Sequence, residues 1–342
     1  SSMAAGVLWP DESRLLGPFL SWFLMGMLLL AFLRVFPSEI WGTLQRYAVK
    51  LPLLILAKLA VIIYLAVWME SKGDKHTDWG YGFLPLMVII GLIDFLILME
   101  PDLSAVLTVA MVGFLMFYLA GAHISQSLFI TLGGGAVGYM LIRLTNTGRE
   151  RWADYMAGLI DVEEASYHVQ HSLQAFYAGG LIGRGLGASR EKFGLLPAPH
   201  TDSIYAVIGE ELGLIGAMFV LGLFFLLMYR GFRVALESPD RLSMLVAGGV
   251  TFWIGVEALV NMSVLLGLLP FAGNALPFFS YGGSNLTSTL DATGILLNIS
   301  RRKPLEVLQN APPGQHDARR DDDPGPRRFV QRHRFLDRPV GP

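Results

Sequence analysis

The sequence predicts an all-α protein built as a polytopic membrane helix bundle, and three observations carry that prediction. Of its 342 residues, 53% are hydrophobic and only 16% charged, whereas soluble domains carry about 25% charged residues. The mean hydropathy is +0.49. Apolar runs recur at 16–35, 51–69, 81–99, 103–120, 127–144, 203–228, 242–268 and 285–299. About 20 helical residues at 1.5 Å each cover a hydrocarbon core of roughly 30 Å. The runs are too long for barrel strands and lack their period-two alternation.

Taken in order, the runs alternate with loops whose charge reports the side of the membrane. Lys72 and Lys75 follow the second run, Arg230, Arg233 and Arg241 the sixth, and Arg301, Arg302 and Lys303 the last. These three loops are expected in the cytoplasm. The loops at 100–102 and 269–284 hold no Lys or Arg and are expected outside, together with the long stretch 145–202. The last run is short and interrupted by Asp291. One place breaks the scheme: Arg34, Arg46 and Lys50 make the linker before the 51–69 run look cytoplasmic, yet its far side is also basic. A single helix cannot start and end on the same side, so either that linker is outside or a segment is missing near residues 54–57.

The overall charge of −2 divides unevenly, with 16 basic against 22 acidic residues in 1–300 and 10 against 6 in 301–342. The basic excess lies in a Pro/Gly/Arg tail, which argues against a nucleic-acid partner. The tail from 304 lacks apolar periodicity and is expected to be a disordered cytoplasmic segment, with 1–303 as the transmembrane domain. With no cysteine, disulfides, thiol nucleophiles and Cys-ligated metals are excluded.

Ionisable groups at mid-membrane cost about 2.5–3.5 kcal/mol each on insertion scales. Lys58, Asp94, Glu210, Glu211, Glu257 and Asp291 therefore need a reason to be there. For Asp94 and Asp291, a packing hydrogen bond is the leading explanation. Glu257 and Asn261 are four residues apart and share one helix face.

The outer segment 168–213 is the richest in chemistry. Its glycines at 179, 180, 183, 185 and 187 permit tight backbone and close approach to a ligand. Arg184, Arg190 and Lys192 are interleaved with or follow them, a combination suited to a phosphate or pyrophosphate. No strand precedes the glycines, so a dinucleotide-binding reading fails its context. His168, His171 and His200 could hold a metal, but no HExxH accompanies them, and polar helix-end histidines are the plainer reading. Asp202 has two readings: a helix N-cap or a general base at the membrane surface.

LPAPHTDSIYAVIGEELG (196–213) resembles the LPxxHTDFIFAxxGEELG signature of the SEDS family, the FtsW/RodA/SpoVE group. EPDLS (100–104), QHSLQAFYAGGLIGRGLGASREKFG (170–194) and GLLPFAGNALPFFSYGGSNL (267–286) add to the resemblance, in order along the chain. Ser203 stands where Phe is usual, Asn274-Ala275 replaces Ile-Pro, and Asn285 follows Ser284; none of these removes a polar catalytic group.

The resemblance implies ten transmembrane helices, against the eight runs visible here. It supports the idea that the first helix, and one further helix with its outer loop near 54–57, are missing; a backbone gap between residues 53 and 58 would show it. It also implies a glycosyltransferase of the bacterial cytoplasmic membrane that polymerises lipid II at the outer face. Asp202 then becomes the catalytic base. Lys192, Arg190, Lys58, Glu100, His200, Ser280, Gly282 and Gly283 become substrate-binding candidates, with Glu210, Glu211, Glu257 and Asn261 in support. No resident metal site is read from the residues; a divalent cation shared by the donor pyrophosphate and a carboxylate is a candidate cofactor. The implied partner is a class B penicillin-binding protein, alongside other division or elongation membrane proteins. The long tail leans toward the division, FtsW-like branch. The rival reading is a flippase or transporter of the lipid-linked precursor, and a third is a scaffold.

Overall fold

The structure is a computed structural model that describes residues 53–73, 78–98, 103–193 and 196–301. The run at 16–35, the linker 34–50, Lys75, Glu100 and the tail from 304 lie outside the described residues. Within them there is no strand. The helices are α1 (Leu53–Lys72), α2 (Leu84–Leu98, entered through a π turn Trp79–Phe83), α3 (Leu103–Leu119), α4 (Ile124–Leu144), α5 (Asn146–Gly158), α6 (Tyr167–Gly179), α7 (Ile204–Leu236), α8 (Arg241–Leu265) and α9 (Gly283–Ser300).

The segments Trp79–Leu98, Ile124–Leu144, Ile204–Leu236 and Arg241–Leu265 are each long and apolar enough to cross a membrane. Val88, Leu92 and Phe95 on α2, and Phe219, Phe225 and Leu226 on α7, stay exposed. Outward-facing rows of large apolar side chains suit lipid rather than water. The protein is a polytopic membrane protein.

α8 is the axis of the bundle. Its span is 78% buried, against 6% for α4, and it packs on α1, α3, α6, α7 and α9. Small residues make this possible, because backbones that lack bulk approach closely. A Cβ on Gly248 would lie 2.5 Å from Leu119 Cδ1, and one on Gly249 2.9 Å from Ile62 Cγ2. Asp240 caps the helix start by accepting from Ser243 N at 2.9 Å.

α1 is one unbroken helix from Leu53 to Lys72. The segment contains neither Gly nor Pro, and a run of apolar helix formers has nothing to interrupt it. The run read as continuous across 203–228 is interrupted: Gly213 has φ 70°, ψ −170° inside α7.

The long stretch 145–202 contains α5, a 3₁₀ turn at Val162–Glu164 and α6. α6 lies against α7. The glycine loop that follows α6 folds onto the break in α7.

Candidate active site

The break at Gly213 strips α7 of part of its hydrogen-bond ladder, and the glycine loop replaces it. Arg184 N donates to Glu210 O at 3.0 Å, and Gly185 N to Glu211 O at 3.0 Å. In return Leu214 N donates to Gly180 O at 2.9 Å and Ile215 N to Leu181 O at 3.2 Å. The approach is so close that a Cβ on Gly183 would lie 2.2 Å from Glu211 O, and one on Gly179 2.1 Å from Gly209 O. Gly179 and Gly183 are therefore present for helix backbone rather than for a ligand, unlike the sequence expectation.

The Glu210 side chain fixes the next part of this loop. Fully buried, its carboxylate accepts from Ser189 Oγ at 2.6 Å, Arg190 N at 2.9 Å, Glu191 N at 3.2 Å and Arg184 Nη1 at 2.9 Å. Glu211 pairs with Lys192 Nζ at 2.6 Å, and the same ammonium donates to Gly187 O at 3.0 Å. Charged groups in a span are tolerated when saturated in this way. His171 Nδ1 lies 3.1 Å from Glu191 Oε2. Arg190 is exposed.

The segment 196–203 holds Asp202 at the start of α7. The N-cap position is Ser203, whose hydroxyl donates to Pro197 O at 2.9 Å and does not cap the helix. The N-cap reading of Asp202 is thus not what the fold shows. Three consecutive carbonyls are each held by a donor from elsewhere. Tyr281 N donates to His200 O at 2.7 Å, and Ser280 Oγ to Thr201 O at 2.7 Å. Asn261 Nδ2 of α8 donates to Asp202 O at 2.8 Å. The same amide donates to Asn274 O, and Ser280 Oγ accepts from Leu276 N at 2.6 Å. Two loops far apart in sequence are locked together, with Asp202 at the junction.

Gly273 belongs to that junction, since a Cβ there would stand 3.1 Å from Asp202 Oδ2. Backbone strain marks both loops as well. Among the described residues, the non-glycine positions with positive φ are Ala198 (46°) and Phe278 (67°), one in each loop and each following a proline. Such conformations cost of order 1–3 kcal/mol and persist where the surroundings over-determine them.

Ser280, expected to meet substrate, has its hydroxyl committed to the two loops. Gly282 N donates to Ser280 O at 2.9 Å, and Gly283 opens α9. The His200 side chain is exposed. Lys58 ion-pairs with Glu257 and lies 6.0 Å from the Trp253 ring centroid. Glu257 and Asn261 do share a face of α8, one serving Lys58 and the other Asp202.

Sequence reasoning passed over Arg151 and weighed His168 only as a metal ligand. Arg151 lines a cavity of about 220 Å³ with Ser104, Thr108, Trp152, Phe271 and Asn274. Its guanidinium lies 5.8 Å from the Phe271 ring. The signal was the RERW string at 149–152, two arginines and a tryptophan near the start of α5. His168 stacks on Phe271 with centroids 4.2 Å apart. Burial holds its imidazole below the ordinary histidine value, while the Asp202 carboxylate pulls the other way.

Comparison with known proteins agrees with this architecture. Residues 13–304 match the family model for the FtsW/RodA/SpoVE group, described as cell cycle protein. A probable peptidoglycan glycosyltransferase FtsW from Geobacter sulfurreducens is 39% identical over 247 residues, 72% of this chain and 66% of that protein. Stage V sporulation protein E from Bacillus subtilis is 39% identical over 246 residues, covering 71% of this chain and 67% of that one. Among solved structures, a chain of a peptidoglycan synthase complex, described for its coordination of polymerization and crosslinking, gives a TM-score of 0.58. It is 26% identical and covers 86% of this chain and 92% of its own. A mutant of rod shape determining protein RodA from Thermus thermophilus gives 0.51 at 27% identity, over 73% of this chain and 65% of that one. The chain spans 66% of the length of the Geobacter relative. With three clamped carbonyls around an aspartate and a family match over most of its length, this chain belongs to the FtsW/RodA/SpoVE family of cell cycle proteins.

Proposed function

We propose that this protein is a peptidoglycan glycosyltransferase that polymerises lipid II at the outer face of the bacterial cytoplasmic membrane, with Asp202 as general base. The observation that carries the reading is the clamp on the carbonyls of His200, Thr201 and Asp202. A base is effective when its carboxylate is held within hydrogen-bond reach of the proton it takes, and preorganisation of this kind is what a rigid junction supplies.

In the proposed step, Asp202 takes the proton of the acceptor sugar hydroxyl as that oxygen attacks the donor anomeric carbon. The bond from that carbon to the pyrophosphate oxygen breaks, and undecaprenyl pyrophosphate leaves. A single base acting on the acceptor gives inversion at the anomeric carbon. Negative charge gathers on the leaving group and calls for cations. Arg151 lines the cavity and Arg190 is exposed, which supports both as candidates for this role, whereas Lys192 and Lys58 are already paired with Glu211 and Glu257. No three acidic or imidazole side chains converge to hold a metal among the described residues. A divalent cation at this site would take most of its ligands from the pyrophosphate. The partner we propose is a class B penicillin-binding protein, in line with the similarity to a chain of a synthase complex.

The test is strand formation from lipid II by the purified protein with its transpeptidase partner. Asp202→Asn should lower the rate by about 10²–10⁴-fold, the usual worth of a general base, with unchanged thermal unfolding. Wild-type rates from the variant would overturn the assignment. Precursor movement without strand synthesis would favour the transporter reading.

A further inference from the structure

We propose that the glycine loop 180–187 is immersed in the membrane, where its exposed apolar side chains form a lipid-facing surface continuous with that of α7. The partner this surface fits is the acyl-chain region of a bilayer, in the leaflet around the start of α7. The proposal does not depend on the role of Asp202.

Helix length sets the depth. From Leu212 to Tyr229, α7 carries no charged residue, and at 1.5 Å per residue this stretch measures roughly 27 Å. A hydrocarbon core of about 30 Å takes up all of it. Sliding the core further along α7 would draw the exposed Arg230 into lipid, which an ionised side chain opposes. Sliding it the other way meets Glu210 and Glu211, whose charges are already paired with Arg184 and Lys192. The break at Gly213, and the loop bonded to Leu214 and Ile215, therefore sit at the edge of the hydrocarbon or within it.

Irregular backbone persists at that depth only where protein satisfies its polar groups. Here the loop and the break satisfy each other. Arg184 N and Gly185 N donate to the carbonyls of Glu210 and Glu211, and Gly180 O and Leu181 O accept from Leu214 N and Ile215 N. The Arg184 guanidinium is held by the buried Glu210 carboxylate at 2.9 Å.

The other large side chains that this loop leaves uncovered are apolar. Ile182 and Leu186 are each 82% exposed, and Leu181 is exposed as well. Leu181 is tied through its carbonyl to Ile215, and from Ile215 the exposed row runs on along α7 through Met218 and Phe219. Tyr177, in the last turn of α6, is also exposed; amphipathic rings of this kind collect at the headgroup level. A protein partner would also cover such a patch, but the depth of the break and the unbroken passage into the lipid-facing row of α7 favour lipid.

The chain has no cysteine, so a nitroxide can be placed at one chosen position. The full chain carrying Ile182→Cys or Leu186→Cys is labelled and reconstituted in bilayers of phosphatidylethanolamine and phosphatidylglycerol. Power-saturation EPR then compares collisions with oxygen, which concentrates in lipid, and with a water-soluble nickel chelate. Phe219→Cys on α7 supplies the lipid reference, and Glu163→Cys in the 3₁₀ turn supplies the water reference. Labels at 182 and 186 should follow position 219 and report a depth of about 5–10 Å into the headgroup–acyl boundary. Preference for the nickel chelate at either position, as at 163, would overturn the proposal. Labels that meet water in the protein alone, and are shielded only when the transpeptidase partner is added, would give the surface to that protein and overturn it equally. A second measurement needs no substitution. A phospholipid with a diazirine on its acyl chain, photolysed in the same bilayers, should form adducts on 177–186 as well as on α7. Adducts on α7 with none on 177–186 would also overturn the proposal.

Discussion

At Asn261 one amide holds two loops, and the chemistry of that amide can be inverted without changing its shape. Asn261→Asp replaces two donated hydrogen bonds, to Asp202 O and Asn274 O, with carboxylate oxygens facing carbonyl oxygens. A buried charge without partners is among the costliest single changes. The expected loss is at least about 3 kcal/mol of stability, read as a lower unfolding temperature in detergent, together with loss of strand formation. Ser280→Ala is gentler. It strips Thr201 O and Leu276 N of one hydroxyl and should cost about 1–3 kcal/mol. Gly273→Ala leaves these bonds intact but sets a methyl group against Asp202 Oδ2. It should lower the rate by about tenfold or more through misplacement alone, with little change in unfolding temperature. Measuring rate and stability on all three variants separates holding the loops from aiming the carboxylate.

At the scale of elements, the sequence disclosed the participants and concealed their meeting. Glycines at 179–187 and carboxylates at 210 and 211 stood out by composition. Nothing local says that Arg184 reaches Glu210 across 26 residues, or that Ser189 does so across 21. The break in α7 was equally hidden, because Leu212-Gly213-Leu214 reads as part of one apolar run and only tertiary contact pins Gly213 at positive φ. Asp202 was legible as a chemical group, but its three clamps were not, since their donors come from positions 261, 280 and 281. Gly213→Ala tests the joint. Its Cβ would lie 2.4 Å from Gly183 N in a backbone conformation that L side chains rarely adopt, so the loop must move away. Proteolytic cleavage within 181–191 should become faster, while the core around α8 keeps its protection. Glu210→Ala should have the larger effect, about 3–5 kcal/mol, because it leaves Arg184 and two backbone N–H groups without their acceptor.

At the scale of the whole molecule, hydrophobic run length was the strongest signal, and it identified the spans because lipid leaves backbone few options besides helix. What it could not rank was which helix lies at the centre. α8 and α4 are both apolar runs with glycines, yet one is the axis and the other lies almost wholly at the periphery. The difference is set by what packs against those glycines. The absence of cysteine makes the proposed orientation directly testable. A single Tyr281→Cys substitution, at a position 85% exposed, should react with a membrane-impermeant maleimide in intact spheroplasts. Ser238→Cys, in the turn between α7 and α8, should react only after permeabilisation. The opposite pattern would invert the topology and move the site to the wrong face for strand synthesis.

The break in α7 also bears on how the protein is made. In the proposed orientation, the loop that completes it, 180–191, is translated before α7 and must already lie across the bilayer when α7 arrives. Until they meet, the carbonyls of Glu210 and Glu211 and the N–H groups of Leu214 and Ile215 lack the partners shown here. That orientation couples insertion of α7 to prior export of the segment upstream, so the proposed site and the transmembrane topology would be settled in a single event during biogenesis.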